Sequence, residues 1–191
     1  ISGKIHKGEI ELSKIIKNDY ILKEIDKIYL SDLQISTNFK DKKIIFKGEG
    51  KYSSNNLDFL NINLENNYID DVNNLIVNFD YSNNLYLDLI NFKKKDDSIA
   101  KISLNLEKKN LRTKINKFSY IEGRNLIKIF YLIFEKNKFV TLKKAEIKTN
   151  KNDFTIQYGK KILIKGNKFD GTNLTKFFSG KKGTNKLQNI N

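Results

Sequence analysis

The residues able to do chemistry are few in this chain, and their spacing suits no reaction. His6 is the only histidine among 191 residues and cysteine is absent, so no multi-histidine or thiolate metal site and no cysteine nucleophile can be assembled. The acidic doublets Asp70–Asp71 and Asp96–Asp97 invite a paired-carboxylate reading. Adjacent residues on a strand point to opposite faces, however, and both doublets have turn-like surroundings, so turn formation accounts for them. Gly3 and Gly8 have phosphate-loop spacing, yet Glu9 and Ile10 follow where a lysine and a hydroxyl residue are needed. KGEGKY, residues 47–52, lacks the third glycine of a dinucleotide fingerprint and has no helix pattern after it; it reads as a bulge or hairpin. The sequon at Asn173–Thr175 reads as part of a helix. The expectation is a non-enzymatic chain with no catalytic residue, no metal and no cofactor.

Charge comes next as a guide to partners. The formal net charge is +14, which ordinarily points to nucleic acid or an anionic membrane surface. Only Arg112 and Arg124 supply the planar fork favoured for phosphate and guanine contacts, the other 34 basic residues being lysines, so nucleic acid is not the expected partner. Lys, Asn and Ile dominate while Pro and Trp are absent, a bias that AT-rich codons would produce without selection for function. From Tyr52 to Phe92 there is no Lys or Arg and six acidic residues, read as a solvated sheet surface, with a division into two electrostatic faces or ends as the alternative.

The elements that would hold these residues are strands. Leu33, Ile35, Thr37 and Phe39 fall in one phase of a period-two alternation. The same is true of Leu75, Val77, Phe79 and Tyr81, of Ile102, Leu104 and Leu106, and of Phe154, Ile156 and Tyr158. Polar clusters at 40–43, 53–56, 65–67, 82–84, 93–97, 107–110 and 149–153 read as connections between strands. The expected fold is mainly β: an antiparallel meander forming a curved, twisted sheet or groove, with one to three short amphipathic helices. Residues 1–180 are read as a single β-rich segment of a longer chain, and 181–191 as a polar, flexible tail. The longest apolar run, Ile129–Phe134, falls far short of the roughly 20 residues that span a bilayer.

Helix-like spacing interrupts the alternation at three places. These carry Ile10, Leu12, Ile15 and Ile16; Leu126, Ile127, Phe130 and Phe134; and Leu174, Phe177 and Phe178. The second also reads as a buried strand. In the third, Asp170 is placed to cap a helix and Gly180 to end it, the strand before it leaving its sheet at Gly166. All three follow a glycine (Gly3, Gly123, Gly166) and share an L-x-K-apolar-apolar signature, which reads as a loose repeat.

The stretch ILIKGNKFDGTNLTKFF, Ile162 to Phe178, resembles the ends of repeat units in the AsmA-like superfamily, which includes the YhdP and TamB type bacterial envelope proteins. The matching positions are Ile164, Gly166, Phe169, Asp170, Leu174 and Phe177. The resemblance implies part of a long, twisted β-groove, periplasmic and anchored to the inner membrane by a segment absent here, that carries phospholipid between inner and outer membranes for outer-membrane lipid homeostasis and assembly. Its partners would be phospholipid acyl chains and the two membranes. The in-phase sets Leu75/Val77/Phe79, Ile102/Leu104/Leu106 and Phe154/Ile156/Tyr158 would line the groove, and Gly166, Phe169, Asp170, Leu174 and Phe177 would form the motif and cap. A competing reading is a non-catalytic β-sandwich or barrel that binds an anionic membrane surface or envelope partner through its lysines. The two differ in whether the apolar face is open or packed into a closed core.

Overall fold

The structure, a computed structural model, describes residues 1–18, 21–95 and 97–173. The period-two patterns become strands β1 (Ser2–Asn18), β2 (Ile21–Lys40), β3 (Lys43–Ser53), β4 (Leu60–Ile69) and β5 (Val72–Tyr81), then a short pair, β6 (Tyr86–Leu87) and β7 (Phe92–Lys93). There follow β8 (Ala100–Lys109), β9 (Arg112–Glu122), β10 (Asn125–Glu135), β11 (Lys138–Lys148), β12 (Asp153–Tyr158) and β13 (Ile162–Lys168). Among the described residues, eleven of these strands pair in the order β1-β2-β3-β4-β5-β8-β9-β10-β11-β12-β13, every pair antiparallel. With β1 and β13 as its two edges the sheet is open, so the sandwich-or-barrel reading gives way to a single meander.

Short connections impose this topology. Asp70 and Asp71, and likewise Lys136 and Asn137, all have positive φ, the backbone a tight two-residue hairpin turn requires. The connections at 41–42, 70–71, 110–111, 136–137 and 159–161 therefore lie along one rim of the sheet, and those at 54–59, 82–99, 123–124 and 149–152 along the other.

Several sequence expectations are corrected here. The first two helix-like stretches are strands: Ile10, Ile15 and Ile16 lie in β1, and Leu126 to Phe134 lie in β10. The reason is a shift of phase. β1 changes register between Glu11 and Ile16, and β10 carries Tyr131 at φ 52° beside a point where Leu132 resumes pairing. One extra residue turns an i, i+2 pattern into i, i+3 and so imitates a helix. Leu126 and Phe130 face the opposite side from Ile127 and Phe134, so no single helical face existed. The cluster at 65–67 is the middle of β4, not a turn. Gly3 lies inside β1, Gly123 forms a turn at φ 55° and Gly166 pairs with Phe154 inside β13, so the three glycines of the supposed repeat hold different positions. The acidic span Tyr52–Phe92 supplies the central strands β4 and β5, where Lys47 pairs with Glu65 across strands at 3.1 Å. Leu174, Phe177, Phe178 and the tail 181–191 lie outside the described residues.

Over the second rim residues 82–95 fold back as a lid, built from β6, a single 3₁₀ turn at Asp88–Ile90, and β7. Ile90 and Phe92 pack there with Tyr81, Ala100, Tyr120, Ile127, Ile147 and Phe154. Phe92 meets Tyr120 edge to face at 5.6 Å between ring centroids. Among the described residues no helix is long and apolar enough to cross a membrane.

Candidate functional site

The register of the ladders decides how the side chains divide between faces, because residues directly opposite one another point the same way. One row can be followed through all eleven strands. It runs Gly3, Ile35, Gly48, Leu64, Val77 and Leu104 over the first half of the sheet. It continues as Phe118, Ile129, Ala145, Ile156 and Ile164 over the second. Every member is apolar or glycine. A parallel row on the same face passes through Ile62, Phe79, Ile102, Tyr120, Ile127, Ile147 and Phe154. With adjacent strands about 4.8 Å apart, the eleven-membered row crosses about 48 Å of sheet.

The other face is its complement. Lys4, Gln34, Glu49, Asn63, Asn78 and Ser103 occupy one row, which goes on through Ser119, Lys128, Glu146, Thr155 and Lys165. No hydrophobic side chain interrupts it. A sheet of this width with a continuous apolar row on one face and a continuous polar row on the other has separated the chemistry of its middle by strand phase, while Ile76, Ile121, Leu126 and Phe130 lie on the polar side.

All nine lining residues expected from sequence, Leu75, Val77, Phe79, Ile102, Leu104, Leu106, Phe154, Ile156 and Tyr158, lie on the apolar face. They are not equally covered. Phe154 is buried under the lid cluster, the residues from Leu75 to Leu106 and Ile156 are half-buried, and Tyr158 is exposed beside Phe139 at 5.3 Å. Polar side chains enter this face toward the rims: Asn66 stands opposite Leu75, and Asn73 opposite Tyr68.

The expected motif is partly altered. The strand does not leave the sheet at Gly166 but continues to Lys168, with a register shift between Asp153 and Phe154. A Cβ at Gly166 would overlap the Asp153 carbonyl and the Phe154 backbone, so this close approach admits only glycine. Phe169 folds back edge to face on Phe154, with ring centroids 5.1 Å apart. Asp170 accepts from the Thr172 N–H at 3.0 Å and from the Thr172 hydroxyl. Those bonds, with Asn91 and Lys151 beside it, hold its carboxyl well below the usual carboxylate range.

Comparison with protein-family models, curated proteins and solved structures finds no match.

The residues that fix the lid escaped sequence reasoning. Asn152, fully buried, donates to the Ile90 carbonyl at 2.7 Å and accepts from the Asp170 N–H at 2.9 Å, tying the lid, the β11–β12 connection and residues 169–173 together. Asn173 donates to the Tyr86 hydroxyl and the Asp88 carbonyl, both at 3.1 Å. Lys94 is fully buried, its ammonium donating to the Ser82 and Lys95 carbonyls at 2.8 Å. Glu122 receives the Lys95 N–H, the Ser98 and Tyr120 hydroxyls and the Asn125 amide. Burial pushes its carboxyl upward, but these donors outweigh burial and leave it below the ordinary glutamate range. Polar residues in an Asn- and Lys-rich chain carry no periodic signal, so only their burial reveals them. Among the described residues no cluster of three or more His, Asp and Glu side chains could hold a metal ion.

Proposed function

We propose that the chain is a non-catalytic carrier segment whose apolar sheet face accommodates phospholipid acyl chains, as the AsmA-like resemblance implies. The observation supporting this reading is the eleven-strand apolar row on an open sheet, with a polar row behind it. Each acyl methylene taken from water contributes about 0.8 kcal/mol, and a row without a charge offers no step at which a sliding chain must be repelled. The head group stays in water at the rim. Periplasmic placement and transit between the inner and outer membranes belong to the same proposal and rest on the resemblance of Ile164, Gly166, Phe169 and Asp170 to AsmA-like repeat ends.

Native mass spectrometry of the purified protein tests it. Co-purifying phospholipid is expected, and L104D/I156D should lose it while S103D, on the polar face of the same strand β8, keeps it. Lipid retained equally by both variants, at matched thermal stability, would overturn the reading.

A further inference from the structure

The two rims of the sheet differ in a way that the apolar face does not explain. Both expose large apolar side chains. On the hairpin rim these include Leu111 at 65%, Phe39 at 61%, Phe139 and Ile162 at 47%, and Tyr158 at 39% exposure. Only this rim joins them to an excess of cations. Lys42 and Lys43 sit at the β2–β3 tip, Lys109 and Arg112 flank the β8–β9 tip, and Lys160 and Lys161 form the β12–β13 tip. Lys136 and Lys138 add to it at β10–β11; the acidic residues here are Asp41 beside Lys42, Asp70–Asp71 at β4–β5 and Glu135 beside Lys136, fewer than the cations. Among the described residues, Lys42, Lys43, Lys109, Lys160 and Lys161 make no ion pair. On the lid rim, by contrast, Lys93, Lys95, Arg124 and Lys151 stand among Asp58, Asp88, Asp97 and Asp170, with Lys151 paired to Asp170, and Lys94 is buried within the lid.

We propose that the hairpin rim docks edge-on against an anionic lipid bilayer, lysines on the phosphates and the tip aromatics and leucine in the interfacial layer. Charge and apolarity together select this occupant. An exposed apolar residue beside each basic tip suits a headgroup boundary, where lysine stems lie along apolar matter while their ammonium groups stay in water. A nucleic acid would gain nothing from Leu111 or Phe39, and the rim holds a single arginine, Arg112, for planar phosphate contacts. The docking rests on the rim alone and stands whether or not the apolar face carries lipid.

Vesicle co-sedimentation of the full chain tests it, comparing phosphatidylcholine alone with phosphatidylcholine mixed with phosphatidylglycerol. Binding should require the anionic lipid and weaken as salt rises. Since each lysine near an anionic surface changes binding about fivefold, K42E/K43E/K160E/K161E should lose more than about a hundredfold. K101E/K148E, two reversals on strand positions away from the hairpin tips, should change it by less than about tenfold. These exposed positions leave the core untouched, and matched melting curves confirm folding. The chain has no tryptophan, so L111W supplies a single reporter whose emission should shift to the blue on anionic vesicles only. Equal binding to both vesicle types, an unaffected quadruple variant, or an unshifted L111W emission would overturn the proposal. So would RNA that binds as tightly as the vesicles and depends on the same four lysines.

Discussion

At the residue scale, the lid depends on a few buried polar groups. Replacing Asn152 with alanine would strand the Ile90 carbonyl and the Asp170 N–H, both held by that side chain. A buried polar group left without a partner costs about 1–3 kcal/mol, so N152A should destabilise the protein by at least about 2 kcal/mol. Hydrogen exchange should show the loss first in the amides of residues 86–93. Glu122 makes the lid sensitive to acid. Its carboxyl is depressed in the folded protein, so its contribution is complete above the unfolded glutamate value of about 4.3 and is lost as pH falls through the lower folded value. Exchange protection at Lys95 and Ser98 should therefore fall in that acidic window, and E122Q should flatten the dependence. Neither group was visible in the sequence, where Asn152 lay within a cluster read correctly as a connection but with no hint of its burial.

At the element scale, strand phase was legible and its interruptions were not. Leu75/Val77/Phe79 and Ile102/Leu104/Leu106 could be placed on one face because period two leaves no alternative, and the ladder pairs them directly. β1 and β10 misled because an irregular register moves the apolar phase by one residue, which a sequence window cannot distinguish from a helical step. β4 misled in the other direction, since Glu65, Asn66 and Asn67 have turn composition while their neighbours Leu64 and Tyr68 hold the strand. The tight turns offer a direct check. Asp70 and Asp71 both sit at positive φ, a conformation that costs less for Asn and least for Gly. The change Asp70→Asn with Asp71→Gly should stabilise the protein by about 0.5–1 kcal/mol, measured by denaturant unfolding.

At the scale of the whole molecule, the open sheet has one long apolar face, one polar face, a lid along one rim and basic hairpins along the other. Alternation alone predicted a mainly β meander. It could not say that the rows would align through eleven strands, because that depends on every register from β1 to β13. Nor could it place the acidic span Tyr52–Phe92, which became a stripe in the middle of the sheet rather than an end.

Site-specific photo-crosslinking tests the central claim most directly. A photoreactive residue is placed in turn at Leu104 and Ile156 on the apolar row, and at Ser103 and Thr155 on the polar row of the same strands. Acyl-chain adducts from Leu104 and Ile156, with none from Ser103 and Thr155, are the predicted result; equal yields from both faces, or none from either, would contradict it.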